Sequence, residues 1–241
     1  MTDGLEYFKK VYNVVPDWVQ KMYDYNPLML NYYTDIRGEA FKDTSYLSAK
    51  EKDLFITSVN AGRLYERSMI FHCNAGLIKG ATIDEMIEYY LVAYIYKGVD
   101  SLKLSMKAVD LLVKDKDDSC VKDEYADETE IVEQLLDWTK DNQNAILLNL
   151  HNLLKEGKDR NSKEVFDCVM SDGVVSSKKK YLNLIGQYLT ELNGKGAQAL
   201  TEKSKLKGVS EADLAELGYI VMITAGIPSW FELCDVLNDG K

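Results

Sequence analysis

Apolar residues recur along most of the chain at the three- and four-residue spacing of a helix that buries one face. The chain contains only three prolines, so long stretches are free to be helical. The clearest set of apolar positions on one predicted helical face is Ile83, Met86, Ile87, Tyr90, Leu91 and Tyr94. The pattern predicts an all-α protein. The tyrosines at 89, 90, 94 and 96 are expected in the core and at interfaces, with one hydroxyl lining a pocket as the alternative.

Signals for helix ends accompany this pattern. Three hydroxyl residues precede an acidic residue by three positions, as in a capping box: Ser48 with Glu51, Thr82 with Glu85, and Ser210 with Asp213. Four glycines are expected to end helices in a left-handed conformation: Gly80, Gly98, Gly208 and Gly226. The helix after Ser48 should therefore break near Gly62, and a second helix should run from about Leu64 to Lys79.

The chain also resembles itself at an offset of 128 residues. This offset aligns residues 47–101 with residues 175–229, and it pairs both helix-ending glycines and the capping serine of each segment. Such coincidence indicates a tandem repeat. We predict an N-terminal domain at 1–113, an acidic linker at 114–130 and a C-terminal domain at 131–241.

Charge narrows the classes of partner. The chain carries 39 acidic and 29 basic residues, a net charge of −10, which disfavours nucleic acid and anionic membrane surfaces. The predicted linker is strongly acidic, which is typical of a solvated segment, with an acidic docking surface as the alternative. No apolar stretch is long enough for a membrane span or secretory signal, so a cytoplasmic protein is expected.

The cysteines and histidines do not form a metal-binding pattern. The four cysteines are far apart, and two histidines leave little material for a zinc site. We therefore expect no metal and no cofactor.

Candidate chemistry lies on the helix predicted after Leu64. Tyr65, Ser68 and His72 are spaced by three and four residues, so they share one helical face, where a hydroxyl can hydrogen-bond an imidazole. The alternative for His72 is a buried histidine without a catalytic role.

Three charged neighbours are candidates for substrate binding. Glu66 lies about 120° around the helix from His72, so it is expected to contact Arg63 or Arg67, or a neighbouring subunit. Either arginine could hold a substrate carboxylate, and their direction on the helix favours this across a subunit interface.

The segment LSAKEKDLFITSVNAGRLYERSMIFHCNAGLIKGATIDEMIE resembles the core of the carboxymuconolactone decarboxylase and alkylhydroperoxidase D family. The resemblance covers residues 47–101, extends more loosely over 26–46, and reaches the second copy by internal repetition. It implies an all-helical domain of five or six helices. It also implies a homo-oligomer, a trimer for a two-domain chain.

The departures from the family pattern separate its branches. The positions of the peroxidase CxxC pair hold Tyr65 and Ser68 here, so dithiol chemistry is unavailable. Cys73 points about 100° away from His72, which leaves a residual peroxidase as the weakest alternative. The family's relay glutamate falls on Asp53, whose other interpretation is a carboxylate in the first turn of a helix. The decarboxylase branch also lacks the cysteine pair.

The second copy retains the framework but not these residues. Four positions change: Asp53, Tyr65, Ser68 and His72 correspond to Tyr181, Asn193, Gly196 and Leu200. We predict one active copy and one structural copy.

The resemblance and the residues together predict a cofactor-independent, lyase-like enzyme. His72 would exchange a proton with a small lactone or unsaturated carboxylic acid. Asp53 would orient the imidazole, while Tyr65 and Ser68 would donate hydrogen bonds to an oxyanion or enolate. A non-catalytic oligomeric ligand-binding protein is the alternative.

Overall fold

The computed structural model describes residues 3–113, 125–139 and 144–237. Within these ranges the chain is helical and contains no strand, so the all-α prediction is confirmed. The first half holds α1 (Gly4–Tyr12), α2 (Asp17–Tyr25), α3 (Pro27–Ala40), α4 (Ala49–Gly62), α5 (Glu66–Ile78), α6 (Ile83–Lys97) and α7 (Val99–Val113). The second half holds α8 (Glu128–Trp138), α9 (Ala145–Lys155), α10 (Lys163–Val169), α11 (Ser177–Thr190), α12 (Gly194–Leu206), α13 (Glu211–Ala225) and α14 (Ile227–Cys234).

The predicted helix ends are present in the structure. All three capping boxes form, each with the hydroxyl and the acidic side chain bonded to the other residue's backbone. The four predicted glycines have φ between 83° and 90°. Helix α5 begins at Glu66 rather than near Leu64, because Leu64 itself has a left-handed φ of 57° and cannot continue a helix.

The helices of the two halves match at the offset found in the sequence. α4, α5 and α6 begin and end 128 residues before α11, α12 and α13, and α7 begins 128 residues before α14. The left-handed residue between α4 and α5, Leu64, also has its counterpart in Leu192, with the same φ of 57°.

Ion pairs cross between the halves in a reciprocal way. Lys52 of α4 pairs with Glu216 of α13, and Lys180 of α11 pairs with Glu88 of α6 at 2.8 Å. These are corresponding positions with the halves exchanged. Buried apolar residues from 40 to 236 form one continuous hydrophobic core, so the two predicted domains pack as a single unit.

The tyrosines of α6 belong to this core, as predicted. Tyr89, Tyr90 and Tyr94 are each 1% exposed or less. The Tyr90 hydroxyl lies 2.9 Å from the Thr57 hydroxyl, which satisfies both polar groups inside the core.

Helices α1–α3 form a separate layer over α5. Phe8, Tyr12, Val19 and Leu30 make a small core of their own, which includes Ala75 of α5. This layer places residues of α2 and α3 opposite the cavity-facing side of α5.

Part of the predicted acidic linker lies outside the described residues, namely 114–124. Its last three residues, 128–130, are instead the first turn of α8. Glu128 accepts a hydrogen bond from the Tyr94 hydroxyl, so this end of the segment is anchored to α6. Across the described helices, none combines the length and apolar character that crossing a bilayer requires.

Candidate active site

A cavity of about 480 Å³ lies between the α2–α3 layer, α5 and the end of α13. Four of the predicted site residues line it: Tyr65, Arg67, Ser68 and His72. The shared helical face predicted from their spacing therefore meets a single cavity.

Asp53 lies behind His72 rather than in the cavity wall. Its side chain is fully buried on α4, and its Oδ1 lies 2.7 Å from His72 Nδ1. With the neutral ring donating its Nδ1 proton to this carboxylate, Nε2 is the nitrogen left to act in the cavity.

Lys79 completes this group, and sequence reasoning missed it. Its ammonium pairs with Oδ2, the other oxygen of Asp53. Lys79 follows His72 by seven residues, two turns along the same helical face. That spacing was the signal that could have identified it.

The charges of this group set the protonation states. Burial raises the pKa of Asp53, but His72 and Lys79 lower it further, so the net pKa lies below the ordinary value. Burial lowers the pKa of His72, and Asp53 only partly offsets this, while Arg37 and Lys79 lower it too. At neutral pH the site therefore holds a carboxylate beside a neutral imidazole, which is ready to accept a proton.

Ser68 is oriented by residues from both halves. Asn60 Nδ2 donates to Ser68 Oγ at 2.9 Å and also lies 3.2 Å from Thr224 Oγ1. Because Ser68 accepts this bond, its own hydroxyl proton is free for the cavity. Thr224 lines the cavity from α13, so the second half, predicted to be structural, supplies part of the wall.

Arg37 of α3 is a further cavity residue that sequence reasoning missed. Its side chain is buried, and its Nη2 donates to the Tyr12 hydroxyl at 2.6 Å. Its position depends on how α3 packs over α5, which no local pattern in the sequence reveals.

Two predicted substrate-binding residues lie elsewhere. Arg63 donates from Nη1 to the Thr224 carbonyl at 3.2 Å, and its Nε lies 3.5 Å from Glu191. Glu66 is exposed and pairs with Lys107 at 2.7 Å rather than with Arg63 or Arg67. Neither Arg63 nor Glu66 lines the cavity, since the turn of α5 that carries them faces away from it.

The corresponding place in the second half is filled. Tyr188 covers Gly196, the counterpart of Ser68, so closely that a Cβ on Gly196 would lie 2.2 Å from the tyrosine ring. The Tyr188 ring also packs edge-on against Tyr96, with centroids 4.9 Å apart. Aromatic side chains thus occupy the space that the first half leaves open.

Cys73 is not available as a thiolate. It is buried, its Sγ lies 3.1 Å from Met86 Sδ, and burial raises its pKa to about 11. The thiol therefore remains protonated at neutral pH. Among the described residues, no group of three or more His, Cys, Asp and Glu side chains is arranged to hold a metal ion.

Fold and site together define an all-helical protein with a buried Lys–Asp–His group beside a small cavity. A crystal structure of a candidate gamma-carboxymuconolactone decarboxylase subunit from Burkholderia xenovorans LB400 is similar to it, with a TM-score of 0.57 and 15% sequence identity. The likeness covers 96% of this chain and 93% of that chain, and at this identity it shows a shared fold. No family model and no curated protein matches the chain.

Proposed function

We propose that the protein is a cofactor-independent acid–base enzyme acting on a small lactone or unsaturated carboxylic acid. The observation that carries the proposal is the 2.7 Å contact between His72 and the buried Asp53, beside a cavity of substrate size. The fold shared with a decarboxylase-like protein supports the same class of reaction.

In this proposal His72 Nε2 takes a proton from the substrate and returns it at another atom. Asp53 stabilises the imidazolium that forms, and Lys79 keeps Asp53 ionised throughout the cycle. Ser68 and Tyr65 donate hydrogen bonds to the enolate or oxyanion, which lowers the energy of the charged intermediate.

A non-catalytic binding protein of the same fold is less well supported. A pocket that only binds an apolar ligand needs no ionised carboxylate behind its histidine, because burying such a charge costs free energy. A peroxidase based on Cys73 is disfavoured by the buried, protonated thiol.

We also propose that the chain arose by tandem duplication and assembles as a homo-oligomer, a trimer by family resemblance. The matched helix bounds and the reciprocal Lys–Glu pairs support the duplication. Exposed apolar side chains on α2 and α3, among them Tyr25 and Met29, support the assembly. Sedimentation equilibrium tests it, since a monomer at micromolar concentration would contradict the oligomer.

The enzymatic proposal is tested by turnover of small lactones, including gamma-carboxymuconolactone, and unsaturated acids. We expect His72→Gln to reduce kcat by about 100-fold or more, the usual contribution of a general base. His151→Gln is the matched control, because His151 is the other histidine of the chain and lies outside the cavity. Equal loss in both variants, or none in His72→Gln, would contradict the proposal.

A further inference from the structure

Arg37 is a buried cation with an incomplete set of partners. Its side chain is 2% exposed, and two of its nitrogens donate to phenols, Nη2 to Tyr12 at 2.6 Å and Nη1 to Tyr33 at 3.4 Å. Its Nε is buried without any hydrogen-bond partner. In the described part of the chain, no carboxylate forms an ion pair with it.

The groups around Arg37 hold its guanidinium in place but do not neutralise it. The guanidinium lies 4.4 Å from the centroid of the Phe41 ring, a cation–π contact that fixes its plane. Burial raises the pKa of Tyr12 despite the neighbouring cation, so this phenol stays uncharged. A buried cation is costly unless an anion pairs with it, so the site lacks a counter-charge.

The cavity that Arg37 lines has a positive character. Arg67 lines it as well, and no Asp or Glu occurs among the described lining residues. Asp53, the nearest buried carboxylate to His72, is already neutralised by Lys79. A chain with a net charge of −10 thus keeps a local pocket that is suited to an anion.

We propose that Arg37 binds a carboxylate of the substrate and so determines which molecules enter the site. A guanidinium presents its N–H groups in a planar fork that matches a carboxylate, and the unpartnered Nε is the donor left for it. Tyr12 and Tyr33 orient the guanidinium. The inference rests on the proposed function only in taking this cavity as the substrate site.

The direct test compares each acid with its uncharged amide in the same chain. Isothermal titration calorimetry of the His72→Gln chain is used, in which no turnover is expected, with benzoate, sorbate and their primary amides as probes. We expect at least one acid to bind at least tenfold more tightly than its amide. If no acid binds more tightly than its amide, Arg37 is not a carboxylate anchor.

Substitutions then separate the two arginines of the cavity. In the same background, Arg37→Met should remove the preference for the acid, whereas Arg67→Met should retain most of it. The opposite pattern would assign the anchor to Arg67 and overturn the inference. Arg37→Lys, which keeps the charge but not the fork, should bind the acid with intermediate affinity, and it provides a reading if Arg37→Met does not fold.

The inference and the proposed function can fail separately. If His72→Gln abolishes turnover but acids and amides bind equally well, the enzymatic proposal stands and the role of Arg37 falls. If the acid preference depends on Arg37 but His72→Gln leaves turnover unchanged, the cavity recognises carboxylates and its histidine is not the base.

Discussion

At the scale of single residues, one carboxylate holds two cationic side chains at once. Oδ1 of Asp53 accepts from His72 and Oδ2 from Lys79, and the carboxylate is fully buried. Lys79 thereby competes with His72 for the charge of Asp53 and also repels a proton from the imidazole. The neutral state of His72 consequently depends on Lys79.

Replacing Lys79 tests this dependence. We expect Lys79→Met to raise the pKa of His72, because the ammonium that disfavours the imidazolium is gone and Asp53 interacts with His72 alone. The pH below which activity falls should move upward. Histidine NMR and the pH profile of kcat measure both effects. Lys207→Met, at the corresponding position of the second half, is the control, and an unchanged pKa in Lys79→Met would contradict the arrangement.

The same site makes stability depend on pH. The pKa of His72 is lower in the folded chain than its ordinary 6.5, so the unfolded chain binds more protons below that pH and acid favours unfolding. The contribution is complete above pH 6.5 and is lost as the pH falls through the folded pKa. We expect the Tm to fall between pH 7 and pH 5, with a smaller fall in His72→Gln. An equal fall in both chains would contradict the buried neutral histidine.

At the scale of helices, boundaries could be predicted because they depend on local chemistry. The capping boxes at Ser48 and Thr82 satisfy the first backbone N–H groups of their helices, and Gly80 and Gly98 adopt backbone angles that other residues resist. The common face of Tyr65, Ser68 and His72 follows from helical spacing alone. Arg37 and Thr224 could not be found in this way, because they reach the cavity through packing of distant helices.

The helix-ending glycine between α5 and α6 allows a clean test. Gly80 has a φ of 83° and open space where a Cβ would lie, so Gly80→Ala changes backbone strain alone. We expect a loss of about 1 kcal/mol in the free energy of unfolding. Gly38→Ala, inside α3 with only an ordinary contact at 3.7 Å from Tyr7, should be neutral or stabilising. Urea unfolding measures both, and equal effects would contradict the role of the positive φ.

At the scale of the whole molecule, the two halves are joined through charges buried in a shared core. Lys180 and Glu88 are each 1% exposed or less, and Glu88 also accepts from the backbone N–H groups of Val174 and Val175. The sequence predicted the repeat but not this interface, since reciprocal pairing appears only when the halves are placed together.

Breaking one buried pair should destabilise the entire chain. We expect Lys180→Met to cost about 3 kcal/mol, because Glu88 keeps its backbone bonds but loses its counter-charge. Lys179→Met, which removes the neighbouring and partly exposed pair with Glu51, should cost no more than about 1 kcal/mol. Calorimetry should show one unfolding transition for both variants. Two separated transitions would contradict the single core.

The central claim is that His72 is a neutral base in a cavity that receives a small organic acid or lactone. The most direct measurement follows the ring protons of His72 by NMR during pH titration and during addition of small lactones and unsaturated acids, with His151 as the internal reference. We predict a pKa below 6.5 for His72 and signals that move with at least one ligand, while those of His151 do not. A His72 that titrates at or above 6.5 and responds to no ligand would contradict the claim.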